Sequence, residues 1–254
     1  MHKIIITDYI DNPSIEKSIL KDFEIICLNE LKEENFDQII FEAYALLVWH
    51  AKITEKTISK LKKCKAIVRY GVGYDDIDIY ACKKYGIPFA NTPDYGTDEV
   101  SDTTIGFILN ITRGINQYNY ISKKIPNTWQ ENLKKSLRRT AKIKIGIIGA
   151  GRIGSSVIRK LNSIGFRCSF FDPYVNVGYE KVLQCERNED LNELLNQSDV
   201  ISIHTPATAE TIGMIDEKFI KKMKKGSSLV NTARGSIIKN MNVIYESLIN
   251  NKLD

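Results

Sequence analysis

The six residues Gly149-Ala150-Gly151-Arg152-Ile153-Gly154 follow an apolar run, Ile143 to Ile148. An acid, Asp172, follows a second apolar run, Cys168 to Phe171. Strand, glycine turn, helix, strand and acid, in that order, make up a dinucleotide-binding βαβ unit, and nothing else in the chain constrains the fold as much. Each residue type has a physical reason. Gly149 permits the tight turn out of the strand, and Gly151 has no side chain to hold a pyrophosphate away from the backbone. Gly154 lets the helix from Arg152 to Ser163 sit close on the strand. That helix offers free N–H groups and a partial positive charge to phosphates. Asp172 stands where it can accept both hydroxyls of an adenosine ribose. Its carboxylate repels a 2′-phosphate, and Pro173-Tyr174-Val175 bring no cation to hold one, so NAD is expected in preference to NADP.

The chain has 254 residues, room for one large or two modest domains, and its 43% hydrophobic and 26% charged content is that of a globular protein. No apolar stretch approaches the roughly 20 residues that span a bilayer, so no membrane partner is expected. Met1 to Asp8 reads as a first strand, not an export signal, which makes the cytoplasm the expected location. The five cysteines, Cys27, Cys64, Cys82, Cys168 and Cys185, form no C-x-x-C pair; reduced thiols are expected, with neither a disulfide framework nor a metal site. The net charge of +5 comes largely from Lys134, Lys135, Arg138, Arg139, Lys142 and Lys144 and from Lys221, Lys222, Lys224 and Lys225. No aromatics are interleaved with them for base stacking, so solvated faces are expected and nucleic-acid binding is not.

Before the glycine turn, strands and helices alternate. Ile4 to Thr7, Glu24 to Leu28, Ala45 to Val48, Ala66 to Tyr70 and Pro88 to Ala90 read as buried strands, and Ser14 to Leu20, Thr54 to Lys62 and Asp76 to Tyr85 as helices. That alternation indicates a parallel sheet covered on both faces. A long helix is expected from Asp98 to Gln117, with Val100, Thr104, Phe107, Ile108, Ile111 and Ile115 on one face; Pro126 closes the segment after it, and Trp129 leads toward the glycine turn. A complete α/β unit thus precedes the dinucleotide motif. Two domains with a cleft between them, joined by the long helix, are expected. The second continues through Leu191 to Leu195, Val200 to Thr205, Lys218 to Lys224, Ser228 to Thr232 and a helix from Met241 to Asn251.

Further segments carry a family pattern. Ile147 to Gly154, Phe171-Asp172-Pro173-Tyr174, Ser198 to Pro206 and Leu229-Val230-Asn231-Thr232-Ala233-Arg234-Gly235 occur in order, with Arg69 to Asp78 upstream. Together they resemble the D-isomer-specific 2-hydroxyacid dehydrogenases, the family of phosphoglycerate dehydrogenase. Asn91 to Val100 is similar to the branch that includes the C-terminal-binding proteins. The resemblance covers the whole chain. It implies an α/β fold of two doubly wound domains, a flavodoxin-like substrate domain over 1–97 and a Rossmann NAD-binding domain over 98–254. It also implies hydride transfer between NAD and C2 of a small D-2-hydroxy or 2-oxo acid, and a homodimer formed through the cofactor domain.

Arg234 matches the family's acid-binding arginine, whose planar guanidinium can hold a carboxylate or polarise the neighbouring carbonyl. Val72 and Gly73 match the loop whose N–H groups receive the substrate carboxylate; glycine on both sides of Val72 allows such a nest. The cofactor set implied is Thr104, Gly149, Gly151, Arg152, Ile153, Gly154, Asp172, Pro173, His204, Thr205, Pro206, Thr211, Thr232, Ala233 and Arg234. Trp49 and Tyr74 are candidates for the substrate pocket.

The family's proton donor is a histidine paired with a glutamate, both beyond the Asn-Thr-Ala-Arg-Gly segment. Here no histidine follows His204, and the sequence ends at Asp254. An incomplete form of a longer enzyme is therefore expected, with the NAD-binding domain unfinished at its C-terminal end and the substrate domain lacking its return segment. The alternatives are a non-catalytic NAD- and partner-binding protein or an inactive fragment. His2, at the N-terminus, and His50, after a strand, are not assigned as substitutes.

Overall fold

The computed structural model describes residues 1–124 and 137–254, so Pro126, Trp129, Lys134 and Lys135 lie outside the described residues. Two compact units make up the chain, Met1–Tyr95 and Gly96–Asp254.

The first unit has strands β1 (His2–Ile6), β2 (Phe23–Cys27), β3 (Ala43–Val48), β4 (Ala66–Arg69) and β5 (Phe89–Asn91). All pair in parallel in the order β2-β1-β3-β4-β5. This is the flavodoxin-like arrangement. Ile5, Leu46 and Ile67 are wholly buried on neighbouring strands, which is why these strands read as continuous apolar runs. The helices are α1 (Ser14–Ile19), α2 (Glu55–Ile58) and α3 (Ile79–Lys84). All three are shorter than their sequence pattern, α1 by Leu20 alone. After Ile58 the chain tightens into i→i−3 bonds, Lys60 N–H to Thr57 O and Leu61 N–H to Ile58 O. Asp78 caps α3 through the Ala81 N–H and so marks its start, two residues beyond Asp76.

The second unit opens with α4 (Thr97–Arg113) and α5 (Ile115–Lys124). The single helix expected from Asp98 to Gln117 is two. Gly114 takes φ +63°, and its N–H closes on Asn110 O, a left-handed cap that stops α4. The buried face of α4 also differs: Ser101, Thr104, Ile105, Ile108 and Thr112 are buried, whereas Phe107 is half exposed. The small Ser101 fits because α4 packs on α6 (Arg152–Ile164), where Ser156 Oγ meets Ser101 Oγ at 3.2 Å.

Strands β6 (Lys144–Ile148), β7 (Arg167–Phe171), β8 (Glu186–Arg187), β9 (Val200–Ile203) and β10 (Ser228–Asn231) pair in parallel as β10-β9-β6-β7-β8. Counted from β6, this is the Rossmann order 3-2-1-4-5. Helices cover both faces. Ile105, Ile108, Val157, Leu161 and Phe170 form the core on one side. Leu194, Ile201, Ile215, Phe219 and Ile220, with α8 (Leu191–Gln197) and α9 (Glu217–Lys222), form it on the other. Two further helices are α7 (Tyr179–Leu183) and α10 (Met241–Ile249).

Part of the positive charge is spent at the N-terminal edge of this sheet. Asp199 accepts the Lys144 N–H at 2.9 Å and pairs with Lys224 at 2.5 Å and Arg138 at 2.8 Å. Burial pushes its carboxyl up, but these bonds outweigh it and hold the group below the usual carboxylate range. The five cysteines are free thiols. Among the described residues no helix is long and apolar enough to cross a membrane.

Candidate functional site

The glycine turn forms as its sequence demands. Gly149 ends β6 at φ +91°, and a Cβ there would lie 2.8 Å from the His204 carbonyl oxygen. A Cβ on Gly154 would lie 2.0 Å from the Gly149 carbonyl oxygen, so α6 rests directly on the turn. A Cβ on Gly151 would meet nothing within 4 Å, which leaves the space a pyrophosphate needs. Gly151 caps α6 without a side-chain hydrogen bond, so the N-terminus of this 13-residue helix stays open. Arg152 there is exposed, while Ile153 packs toward the core.

Asp172 is joined to the turn. Its Oδ2 accepts the Ala150 N–H at 2.8 Å, and its Oδ1 accepts the Tyr174 N–H at 2.9 Å. Each carboxylate oxygen keeps a further lone-pair site. Pro173 lies between these anchor points. Acid and turn therefore fit a dinucleotide: open helix N-terminus, unobstructed Gly151 and a fixed carboxylate at the next strand end.

After β9, His204 lies against Gly149, and its Nε2 is 2.9 Å from Ser202 Oγ. Burial lowers its pKa to about 4, so the ring is neutral at pH 7. Thr205 Oγ1 is buried without a partner in the described chain. The loop beyond is braced by Thr211, whose hydroxyl donates to the Pro206 carbonyl at 2.5 Å and accepts the Thr208 N–H at 2.8 Å. Thr104 is buried on α4, and its hydroxyl lies 2.9 Å from that of Thr232, just past β10.

Asn231 shapes the segment that carries Arg234. Its Oδ1 accepts the Ala233 N–H at 3.0 Å, and its Nδ2 donates to the Arg234 carbonyl at 2.8 Å. The Arg234 guanidinium donates to the Ala233 carbonyl at 3.0 Å.

In the first unit, Val72 and Gly73 follow β4. Asn91 Nδ2 holds the Val72 carbonyl at 2.7 Å, and Thr92 holds the Arg69 and Gly71 carbonyls through its hydroxyl and N–H at 3.0 and 3.1 Å. Among the described residues neither the Val72 nor the Gly73 N–H has an acceptor in the chain. These bonds engage the loop's carbonyls and not those two donors. Arg69, Asn91 and Thr92 lie in segments that carry the family resemblance, but the sequence reading gives them no role; two polar residues closing a strand opposite a glycine loop were the available signal.

The loops after β1 and β3 meet at the C-terminal edge of the same sheet. Asp8, almost fully buried, accepts the Trp49 and His50 N–H groups at 3.1 and 2.6 Å, and His50 Nδ1 stands 3.8 Å from it. Trp49 stacks on His50 and lies near Tyr70, while Tyr74 packs on Phe89. His2 belongs to β1 and stacks on Tyr44, so it is an ordered strand residue.

Comparison with known proteins agrees with this geometry. Residues 105–254 match the model of the D-isomer specific 2-hydroxyacid dehydrogenase NAD binding domain. The chain is 33% identical to D-3-phosphoglycerate dehydrogenase of Methanocaldococcus jannaschii over 255 aligned residues, 100% of this chain and 48% of the relative. It spans about half the length of the curated relatives it matches. D-lactate dehydrogenase from Aquifex aeolicus, solved with NAD and lactic acid, is similar at TM-score 0.88 and 30% identity, covering 99% of this chain and 76% of that one. An acyclic imino acid reductase solved with NADPH and D-Arg shares the fold alone, at TM-score 0.84 and 23% identity over 100% of this chain and 80% of that one.

Proposed function

The chain belongs to the D-isomer-specific 2-hydroxyacid dehydrogenase family, and on that premise we propose that it serves an NAD-dependent oxidoreductase acting at C2 of a small D-2-hydroxy or 2-oxo acid. The observation that carries the reading is the Ala150 N–H bond to Asp172, which makes the phosphate turn and the ribose acid one piece. Bound NAD supplies the hydride chemistry. The chain's own residues bind and orient. The N-terminus of α6 takes the phosphates, and Asp172 takes the adenosine ribose hydroxyls. His204, Thr205, Pro206, Thr211, Thr232 and Ala233 border the cofactor, and Thr104 supports Thr232. The Val72 and Gly73 N–H groups hold the acid's carboxylate. Arg234 binds the acid and polarises its carbonyl, which a forked guanidinium does better than an ammonium. The pKa of His204, about 4, leaves it without a proton to give at neutral pH. A cytoplasmic homodimer paired through the second unit completes the reading.

The reference points are D-3-phosphoglycerate dehydrogenase among the curated relatives and D-lactate dehydrogenase among the solved structures, so the substrate proposed is a small acid of that type. The imino acid reductase holds NADPH on the same fold, so cofactor choice rests with side chains. Titration calorimetry with NAD, followed by NADH absorbance with a panel of 2-oxo acids, tests the proposal. NAD binding that survives Arg234→Ala, with loss of 2-oxo acid binding or turnover, supports it; loss of NAD affinity in that variant assigns Arg234 to the cofactor instead.

A further inference from the structure

Two loops beside the glycine turn are tied to each other. The phenol of Tyr174, in the loop after β7, donates a hydrogen bond to Glu210, in the loop after β9. In the sheet order these strands flank β6, so the tie crosses the strand end that carries the phosphate turn. That is the topological switch point, where open α/β sheets bind their ligands. Tyr174 is 75% exposed, so packing does not account for its pose. One residue thus links two carboxylates, through its N–H to Asp172 and its hydroxyl to Glu210.

We propose that Glu210 is a second specificity-determining residue of the dinucleotide site, held by Tyr174 so that its charge, added to that of Asp172, turns away a 2′-phosphate. The inference deepens the NAD reading above and rests on it.

The cation bonded to the Asp172 backbone is already engaged. The Arg187 guanidinium donates to the carbonyls of Val175, Asn176 and Asp172 at 3.1, 3.3 and 3.4 Å. Its Nε lies 3.1 Å from Glu189, an ion pair by distance without an aligned hydrogen bond. Arg187 is engaged by backbone carbonyls and by Glu189, so it is not free to grip a phosphate. Glu210 adds a second negative charge beside that of Asp172. Its hydrogen bond, then burial, then the charges of Glu210 and Asp172 raise the Tyr174 phenol pKa, so both carboxylates lie within electrostatic reach of one hydroxyl. The Thr211 bonds already described fix the loop that carries Glu210. A 2′-phosphate of about two negative charges entering beside Asp172 meets both carboxylates, whereas the uncharged 2′-hydroxyl of NAD meets no such repulsion.

The test is calorimetric titration of the whole chain with NAD and NADP, and with adenosine 5′-monophosphate and adenosine 2′,5′-bisphosphate to isolate the adenosine end. Glu210→Gln keeps a partner for Tyr174 and removes the charge. It should narrow the preference for NAD by about five- to tenfold while NAD affinity stays within about twofold. Raising salt should narrow the wild-type preference more steeply than that of the variant, because exposed charges are screened. Tyr174→Phe, which keeps the charge but releases it, should narrow the preference less. An unchanged ratio in Glu210→Gln with NAD binding intact overturns this inference and leaves the cofactor reading standing. Equal weakening of NAD and NADP also overturns it, since Glu210 would then be a brace. A wild type that binds none of the four nucleotides overturns the cofactor reading itself, and this inference with it.

Discussion

Each unit carries a glycine loop at the C-terminal end of a parallel strand, and the two loops need glycine for different reasons. In the second unit the obstacle to a side chain is backbone: Gly154 against the Gly149 carbonyl, and Gly149 against the His204 carbonyl. In the first unit it is a side chain. A Cβ on Gly71 would lie 1.6 Å from Arg69 Nη1, the far end of a flexible arm. Backbone cannot yield without moving a strand or a helix, whereas an arginine can rotate away. The dinucleotide turn is therefore specified by the fold, and the loop after β4 by its neighbours.

Alanine substitution gives the largest expected contrast. Gly154→Ala forces a backbone clash between α6 and the turn and should destabilise the second unit by on the order of 4 kcal/mol or more, read by urea melts. A mild effect there would break the comparison. Arg234→Ala comes next. Removing a charged, forked donor should weaken 2-oxo acid binding by about 100-fold, with NAD affinity within about twofold, by calorimetry.

A third prediction concerns pH. His204 lies against the dinucleotide turn with its pKa lowered from 6.5 to about 4. Between those values the unfolded chain takes up a proton that the folded one refuses, so stability falls as pH drops through that window. The loss approaches about 3 kcal/mol near pH 4. In melts at pH 7 and pH 4.5, His204→Gln should remove most of this acid-dependent loss relative to wild type. Gly71→Ala is expected to be the smallest effect, under about 1 kcal/mol, because Arg69 moves aside. Its signature is weaker acid binding with nearly unchanged melting. If Gly71→Ala unfolds the first unit, the loop after β4 is as backbone-bound as the dinucleotide turn and the contrast fails.

The same contrast explains what was legible in the sequence. The Gly149–Gly154 spacing and Asp172 could be read because backbone geometry demands those types at that separation. The strands could be read because their central residues are buried and mostly apolar, as in Ile4 to Ile6, Leu46 and Val48, and Ile145 to Ile148. The stop at Gly114 was hidden inside a helical pattern that continues on both sides of it. The short β8 and α7 carry too few apolar residues to show a period. The roles of Arg69, Asn91 and Thr92 depend on contacts between adjacent strand ends, and single-chain spacing does not encode those contacts. The Tyr174–Glu210 tie is hidden for the same reason, joining loops that share no periodicity.

The bond from Ala150 N–H to Asp172 bears on how such a protein could change its cofactor over evolutionary time. Ala150 is fully buried, so replacing Asp172 with a small apolar residue such as alanine strips an interior amide of its acceptor, whereas Asn or Ser still offers an oxygen. An apolar residue at position 172 would therefore carry a folding defect along with any change of cofactor. Position 210 imposes no such coupling: its side chain is exposed and bonded to an exposed tyrosine. On the role proposed for Glu210, a path to a broader cofactor range through the loop after β9 leaves the Ala150–Asp172 bond intact.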